Sequence, residues 1–103
     1  MGRLSKEIET IKKYHIRGQQ RYFKCPKNAV KFNTHNSKEH EMKKSEVCFD
    51  IQKSGEKFIT EAVCNTTGHI IDVVNLSTGE EVEIVLTHGE KQAKEQGRTV
   101  VKI

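Results

Sequence analysis

The sequence predicts an α/β fold with the order helix, three strands, helix, strand, and three observations carry that reading. A polar stretch with helical start and stop signals covers residues 37–54. Three runs rich in β-branched residues follow, KFITEAVC (57–64), HIIDVVNL (69–76) and EVEIVL (81–86), separated by the short turns NTTG and STGE. A second capped segment then leads into a last apolar run, RTVVKI (98–103). Residues 1–36 stand apart as a basic arm ahead of this core, which spans 37–103.

Within the arm, Leu4, Ile8, Ile11 and His15 recur at helical spacing, so a short amphipathic helix is expected in 4–16. Residues 18–36 hold the single proline, Pro26, and suit a loop with at most one strand. Asn36 followed by Glu39 has the form of a capping box, and Gly55 supplies a stop for the helix between them. On that helix Val47, Cys48 and Ile51 form one stripe, while Met42, Glu46 and Phe49 lie together on another. Glu46 thus has apolar neighbours on both sides. Thr87 and Glu90 make a second capping box, for a helix over about 88–96 that Gly97 ends.

A chain of 103 residues suits one domain, and 34% hydrophobic content against 31% charged leaves a small core. A second copy would help to cover apolar surface, and the stripe in 4–16 offers one place for a homodimer contact. No apolar run approaches the ~18 residues a bilayer span needs, and the N-terminus lacks a signal-peptide pattern. Three irregularly spaced cysteines, Cys25, Cys48 and Cys64, fit reduced thiols in a cytoplasmic protein better than a disulfide framework. No Cys-x-x-Cys accompanies them, so zinc held by Cys25, His35, His40 and His15 is a poor fit.

Charge is unevenly distributed. Residues 1–36 carry nine Lys/Arg against Glu7 and Glu9, a balance of +7, while residues 37–103 carry nine basic and twelve acidic residues, a balance of −3. That pattern suggests a polyanion for the arm and a cation for the body. Lys12, Lys13, Arg17, Arg21, Lys24 and Lys27 are the candidate phosphate contacts, so DNA is the expected partner.

Acids inside strands point to the cation. If Ser77 stands opposite Glu80, Val74 pairs with Glu83, and Asp72 becomes the diagonal neighbour of Glu83, roughly 7–8 Å away. If Cys64 stands opposite His69, Glu61 lies across from Asp72. Like charges so placed repel unless a cation compensates.

A helix bearing Glu46, a strand, Asp72, a hairpin and then Glu83-Ile84-Val85 resemble the PD-(D/E)xK nucleases over residues 39–103. The string TEAVCNTTGHIIDVVNLSTGEEVEIV is similar in style to small archaeal Holliday-junction resolvases and to virus- or plasmid-encoded nucleases. The resemblance implies a restriction-endonuclease-like αβββαβ core with a mixed central sheet. It also implies Mg²⁺ or Mn²⁺ held by Asp72, Glu83 and the Ile84 carbonyl, with Glu46 as a further ligand or water-orienting group. The implied activity is endonucleolytic hydrolysis of phosphodiester bonds in duplex or branched DNA, with a homodimer as the common assembly. One position departs from the pattern: Val85 stands where the family has its catalytic Lys. Either another cation substitutes, Lys91 being the first candidate and His88 the second, or the chain is a degenerate DNA-binding relative without catalysis.

Overall fold

The computed structural model describes residues 3–18, 27–85 and 97–102. Helix α1 (Arg3–Ile11) leads directly into strand β1 (Tyr14–Ile16), so His15 lies on a strand and the expected helix over 4–16 is shorter. Helix α2 (Lys38–Lys53) follows, then β2 (Phe58–Cys64), β3 (Ile70–Asn75), β4 (Glu81–Val85) and β5 (Thr99–Lys102). The strands form one open mixed sheet in the order β1-β2-β3-β4-β5. All neighbours are antiparallel except β4 and β5, which run parallel. The helix expected over 88–96 lies outside the described residues.

Part of the basic arm belongs to this sheet. Tyr14, His15 and Ile16 pair with Cys64, Val63 and Ala62, adding a fifth strand at the edge of β2. Behind it, Lys31 N–H donates to the Thr60 hydroxyl and Phe58 N–H to Asn28 Oδ1, which ties residues 28–31 to the same strand. The apolar pattern dictates this, because Tyr14 and Ile16 are both buried and point to one face as a two-residue period requires.

Helix α2 starts one residue later than the capping box suggests. Ser37, in extended conformation, accepts from His40 N–H and is the N-cap. Of its two stripes the one formed by Val47, Cys48 and Ile51 turns inward: Cys48 is buried, and Val47 and Ile51 pack with Phe58, Val73, Val82 and Ile84. A second cluster on the sheet joins Tyr14, Ile16, Ile59, Ala62, Ile71, Val74 and Leu76, with Ile11 of α1 packed against it. On α1 itself, Glu7 and Thr10 turn inward while Ile8 is exposed. Glu7 accepts from the Ser77 hydroxyl at 3.3 Å and lies 3.5 Å from Lys57 Nζ.

The β3–β4 hairpin differs in register from the expectation. Asn75 N–H donates to the Glu80 carbonyl, and Val74 and Val73 pair with Glu81 and Val82. The loop is therefore 76–79, two residues longer on the β3 side. Asn75 causes this, since its Oδ1 accepts from Ser77 and Thr78 N–H and bends the chain early. Leu76 turns inward and is fully buried. Gly79 (φ +83°) completes the loop in the left-handed region, with a Cβ position 3.1 Å from Lys6 Cε. The β2–β3 hairpin has the expected register, with Cys64 N–H donating to the His69 carbonyl.

Candidate active site

The register places Asp72 directly opposite Glu83, one step beyond the Val73–Val82 pair, and not diagonally. In a regular sheet a shift of two residues keeps both side chains on one face, where a shift of one would part them; here the charge of Asp72 acts on Glu83 across the step. The step is also where β3 and β4 separate. In a regular ladder the Ile84 N–H would bond to the backbone across the pair, but it donates to Asp72 Oδ2 at 2.8 Å instead. Within an extended strand N–H and C=O of one residue leave on the same side, so the Ile84 carbonyl also faces β3.

The neighbouring strand breaks its pattern at the same level. Glu61 has a left-handed φ of 51°, and the β2–β3 pairing skips from Thr60↔Val73 to Ala62↔Ile71, across Glu61 and Asp72. Phe58 and Val73 join one apolar cluster, whereas Ala62 and Ile71 join the other. Both strands therefore change phase at a pair of opposed acids. The backbone conformation of Glu61 is an unfavourable one for a side chain with a Cβ. It turns the carboxylate toward Arg17 Nε (2.8 Å) and Lys44 Nζ (3.4 Å).

From there a chain of charges runs through the molecule. Lys44, completely buried, also lies 2.6 Å from Glu41 Oε1 and donates to the Lys31 carbonyl at 2.8 Å. Lys31 Nζ in turn donates to the Arg17 carbonyl. Glu41 Oε2 sits 2.6 Å from His40 Nδ1, and His40 Nε2 is 3.4 Å from Asp72 Oδ2. Beyond Glu83, Arg98 lies 3.8 Å from Glu83 Oε1 and 3.3 Å from Glu81 Oε1, while the Tyr14 hydroxyl donates to Glu81 Oε2 at 2.6 Å.

Two carboxyls are strongly perturbed, in opposite directions. For Glu41, burial would raise the pKa, but donors on Lys44, Asn33 N–H, His40 and Asn36 together outweigh it and hold it down to about 2. Glu83 is pushed up to about 8, first by burial, then by the charge of Asp72 and a hydrogen bond with it; Arg98 opposes the rise. One of its oxygens, Oε1, is buried with no hydrogen-bond partner, since 3.8 Å to Arg98 is an ion-pair distance only.

The remaining expected site residues divide. Glu46 does not join: it lies on the outward side of α2 with a side chain 62% exposed, 3.3 Å from Lys43 Nζ. Met42 and Phe49, its apolar neighbours, are themselves 62% and 66% exposed, so that stripe faces outward and gives Glu46 no buried environment. Lys12, Lys13 and Lys27 are exposed, and Arg17 is engaged by Glu61. Arg21, Lys24, His88 and Lys91 lie outside the described residues. Val85 is half-buried, and its register partner on parallel β5 is Lys102, an exposed lysine.

His40, Glu41 and Arg98 are the site residues that spacing did not single out, whereas Glu61 stands across from Asp72 as the turn spacing suggests. The available signal was the position of His40 and Glu41 in the first turn of α2, above the strand ends. Of the cysteines, Cys48 is buried and its thiol is pushed up to about 12 by burial. Cys64 is half-buried, with its thiol drawn down to about 7 by hydrogen bonds from the Thr66 and Thr67 side chains.

Among the described residues, no group of three or more His, Cys, Asp or Glu side chains is arranged to hold a metal ion, and no helix is long and apolar enough to cross a membrane. Fold and site together define an α/β protein with two opposed carboxylates at the parting of two central strands. Comparison of the chain with family models, with curated proteins and with solved structures returns no match.

Proposed function

We propose that this protein is a metal-dependent endodeoxyribonuclease that hydrolyses phosphodiester bonds in duplex or branched DNA. The observation that carries the reading is the Asp72–Glu83 pair, two opposed acids that each leave an unfavourable arrangement in place when no cation is near. Glu83 Oε1 is a buried acceptor without a donor, and burial together with the charge of Asp72 pushes the Glu83 carboxyl well above its usual range. A hard divalent cation suits this donor set, with the Ile84 carbonyl on the same side. Two carboxylates suffice for Mg²⁺, whose remaining positions are ordinarily taken by water and by the phosphate itself. The order of three antiparallel strands followed by a parallel one agrees with the nuclease core that the sequence resembles.

When bound, such an ion polarises the phosphoryl oxygen and favours attack by water. The chain's own residues do the rest. Asp72 is aimed by the Ile84 N–H, and Glu83 is held beside it by Arg98. Lys102, on the strand next to Val85, is the cation proposed to oppose charge developing on the phosphate, a role that Lys91 would otherwise fill. Exposed Lys12, Lys13 and Lys27 contact the DNA backbone, and a homodimer would present one such site to each strand of a duplex.

Calorimetric titration with Mn²⁺, alongside cleavage assays on duplex, single-stranded and four-way-junction DNA, tests the proposal. Wild-type protein is expected to bind the ion and cut, better in Mn²⁺ than in Mg²⁺, and Asp72→Ala and Glu83→Ala to lose both properties. Unchanged Mn²⁺ affinity in both variants would overturn the metal site. DNA binding without cleavage of any substrate would favour the degenerate binder that Val85 allows.

A further inference from the structure

The outer face of α2 carries apolar surface that the fold leaves uncovered. Met42 and Phe49 stand two turns apart on that face, 62% and 66% exposed, and Phe32, on the segment before the helix, is 57% exposed. Two concavities meet at Lys38 and Met42. One of about 810 Å³ runs over the helix from Met42 past Ser45 to Phe49, and another of about 400 Å³ lies between Met42 and Phe32. Helix α1, the first place considered for a homodimer contact, offers less: Ile11 packs on the sheet and leaves Ile8 exposed beside inward-turned Glu7 and Thr10.

Charge selects the occupant. Around the apolar side chains α2 carries Lys38, Lys43 and Lys53 against Glu39, Glu46 and Asp50, so this face is neutral on a chain of net charge +4. A polyanion would meet three carboxylates there, and a peptide of one sign would meet as much repulsion as attraction. A second copy of the same face fits when the two helices run antiparallel. A two-fold axis near Ser45 sets Met42 of each copy against Phe49 of the other, with Phe32 alongside, and brings Glu39 level with Lys53 of the other copy. Thioether on aromatic ring is a favourable contact, and Ser45 is small enough to let the helices approach. Glu46, close to the axis, already has Lys43 as its counter-ion at 3.3 Å.

We infer that the outer face of α2, together with Phe32, is where a second copy of this chain docks, antiparallel about a two-fold axis. The area is sufficient. Large apolar side chains bury about 150–250 Å² each, so at these exposures the three offer on the order of 350 Å² per copy and about 700 Å² per dimer. With the stems of Lys38 and Lys53 laid over them, that is the apolar share of an interface of ~1,200 Å², the low end of stable ones. His40, which lies beside Asp72, is on the opposite side of the helix, so the docked copy leaves the acidic centre uncovered. The inference does not need the nuclease reading, because it predicts a mass whatever the chain cuts, and the two fail separately.

Light scattering of the full chain without DNA, at ~50 μM, well above a low-micromolar Kd, reads that mass. Wild-type protein is expected at twice the monomer mass and Phe49→Glu at the monomer mass, while Ile8→Glu remains a dimer. Phe49 is exposed, so the change leaves the core intact; should circular dichroism nevertheless show Phe49→Glu unfolded, Met42→Glu takes its place with the same expectation. The charge pair tests the direction of the helices. Lys53→Glu sets two glutamates against each other and is expected to raise the dimer Kd several-fold, and Glu39→Lys with Lys53→Glu to restore it. A wild-type monomer, a dimer that survives both Phe49→Glu and Met42→Glu, or a dimer lost in Ile8→Glu overturns the inference. A double charge variant no tighter than Lys53→Glu alone overturns the antiparallel arrangement.

Discussion

Glu83 and Lys44 show how much individual side chains are altered by their surroundings. The Glu83 carboxyl is raised from 4.5 to about 8, so the folded protein keeps a proton that the unfolded chain releases. Its contribution to stability is therefore fully present below pH 4.5 and is lost as pH rises through about 8. Glu41 has the reverse sign: held at about 2, it contributes stability above 4.5 that is lost as pH falls through 2. Glu83→Gln is expected to flatten the alkaline side, gaining on the order of 1–3 kcal/mol over wild type near pH 8 in urea unfolding and nothing near pH 4. A variant equally destabilised at both pH values would show that burial does not strain this carboxyl. Lys44, by contrast, is a buried ammonium with two carboxylates and a carbonyl around it. Lys44→Met leaves Glu41 and Glu61 facing each other without it, and a loss of about 3 kcal/mol in the unfolding free energy is expected. A near-neutral result would mean that Arg17, His40 and the backbone donors satisfy both acids unaided.

Among the elements, the β3–β4 hairpin matters most, because its register decides whether the acids meet. Asn75 fixes that register through its two side-chain hydrogen bonds to the loop, and Asp72 then falls opposite Glu83 in a pair whose backbone groups do not bond to each other. In a regular ladder such pairs have Cα atoms about 4.5 Å apart, at the short end of the disulfide range, which leaves a bridge in reach where the strands begin to part. The double variant Asp72→Cys/Glu83→Cys is expected to oxidise to a single cross-strand disulfide, identified by peptide mapping. Under the alternative register Val74 would oppose Glu83, and no 72–83 bridge would form. The break in alternation at Glu61 works with this hairpin, since it sends one acid to Lys44 and Arg17 and leaves Asp72 for His40 and Ile84.

Taken whole, the molecule joins an acidic centre to an arm whose described part includes a strand of the same sheet. The arm cannot swing away from Asp72 at β1 without breaking its pairing with β2. Lys12 and Lys13 are exposed just before that strand, whereas Arg17 just after it is held by Glu61. Phosphate binding should therefore draw on the lysines more than on Arg17. If about five phosphates are neutralised, log K against log[salt] is expected to slope near −4 to −5 on duplex DNA. Replacing Lys12 and Lys13 by Ala should reduce that slope by roughly 2. An unchanged slope would place the DNA elsewhere on the protein.

Local patterning alone reached helix α2 with its stripe of Val47, Cys48 and Ile51, the three strands after it, the closing strand β5, and the pairing of β2 with β3. Each depends on residue periodicity and turn chemistry within a few positions of chain. Asp72 and Glu83 were legible as an odd pair for the same reason: acids inside runs of Val and Ile stand out wherever the partner falls. The direct opposition of those acids, the phase change at Glu61 and the burial of Lys44 were not legible. They depend on a loop two residues longer than the turn signal suggests, and on contacts between residues 17, 31, 41, 44 and 61, far apart in sequence. Glu46 shows the converse, since apolar neighbours on its own helix said nothing about which face the sheet would cover. His40 comes beside Asp72 through the packing of a helix end, and Lys102 beside Val85 through a parallel strand, an arrangement created only when burial of Val73, Val82 and Ile84 draws those elements together.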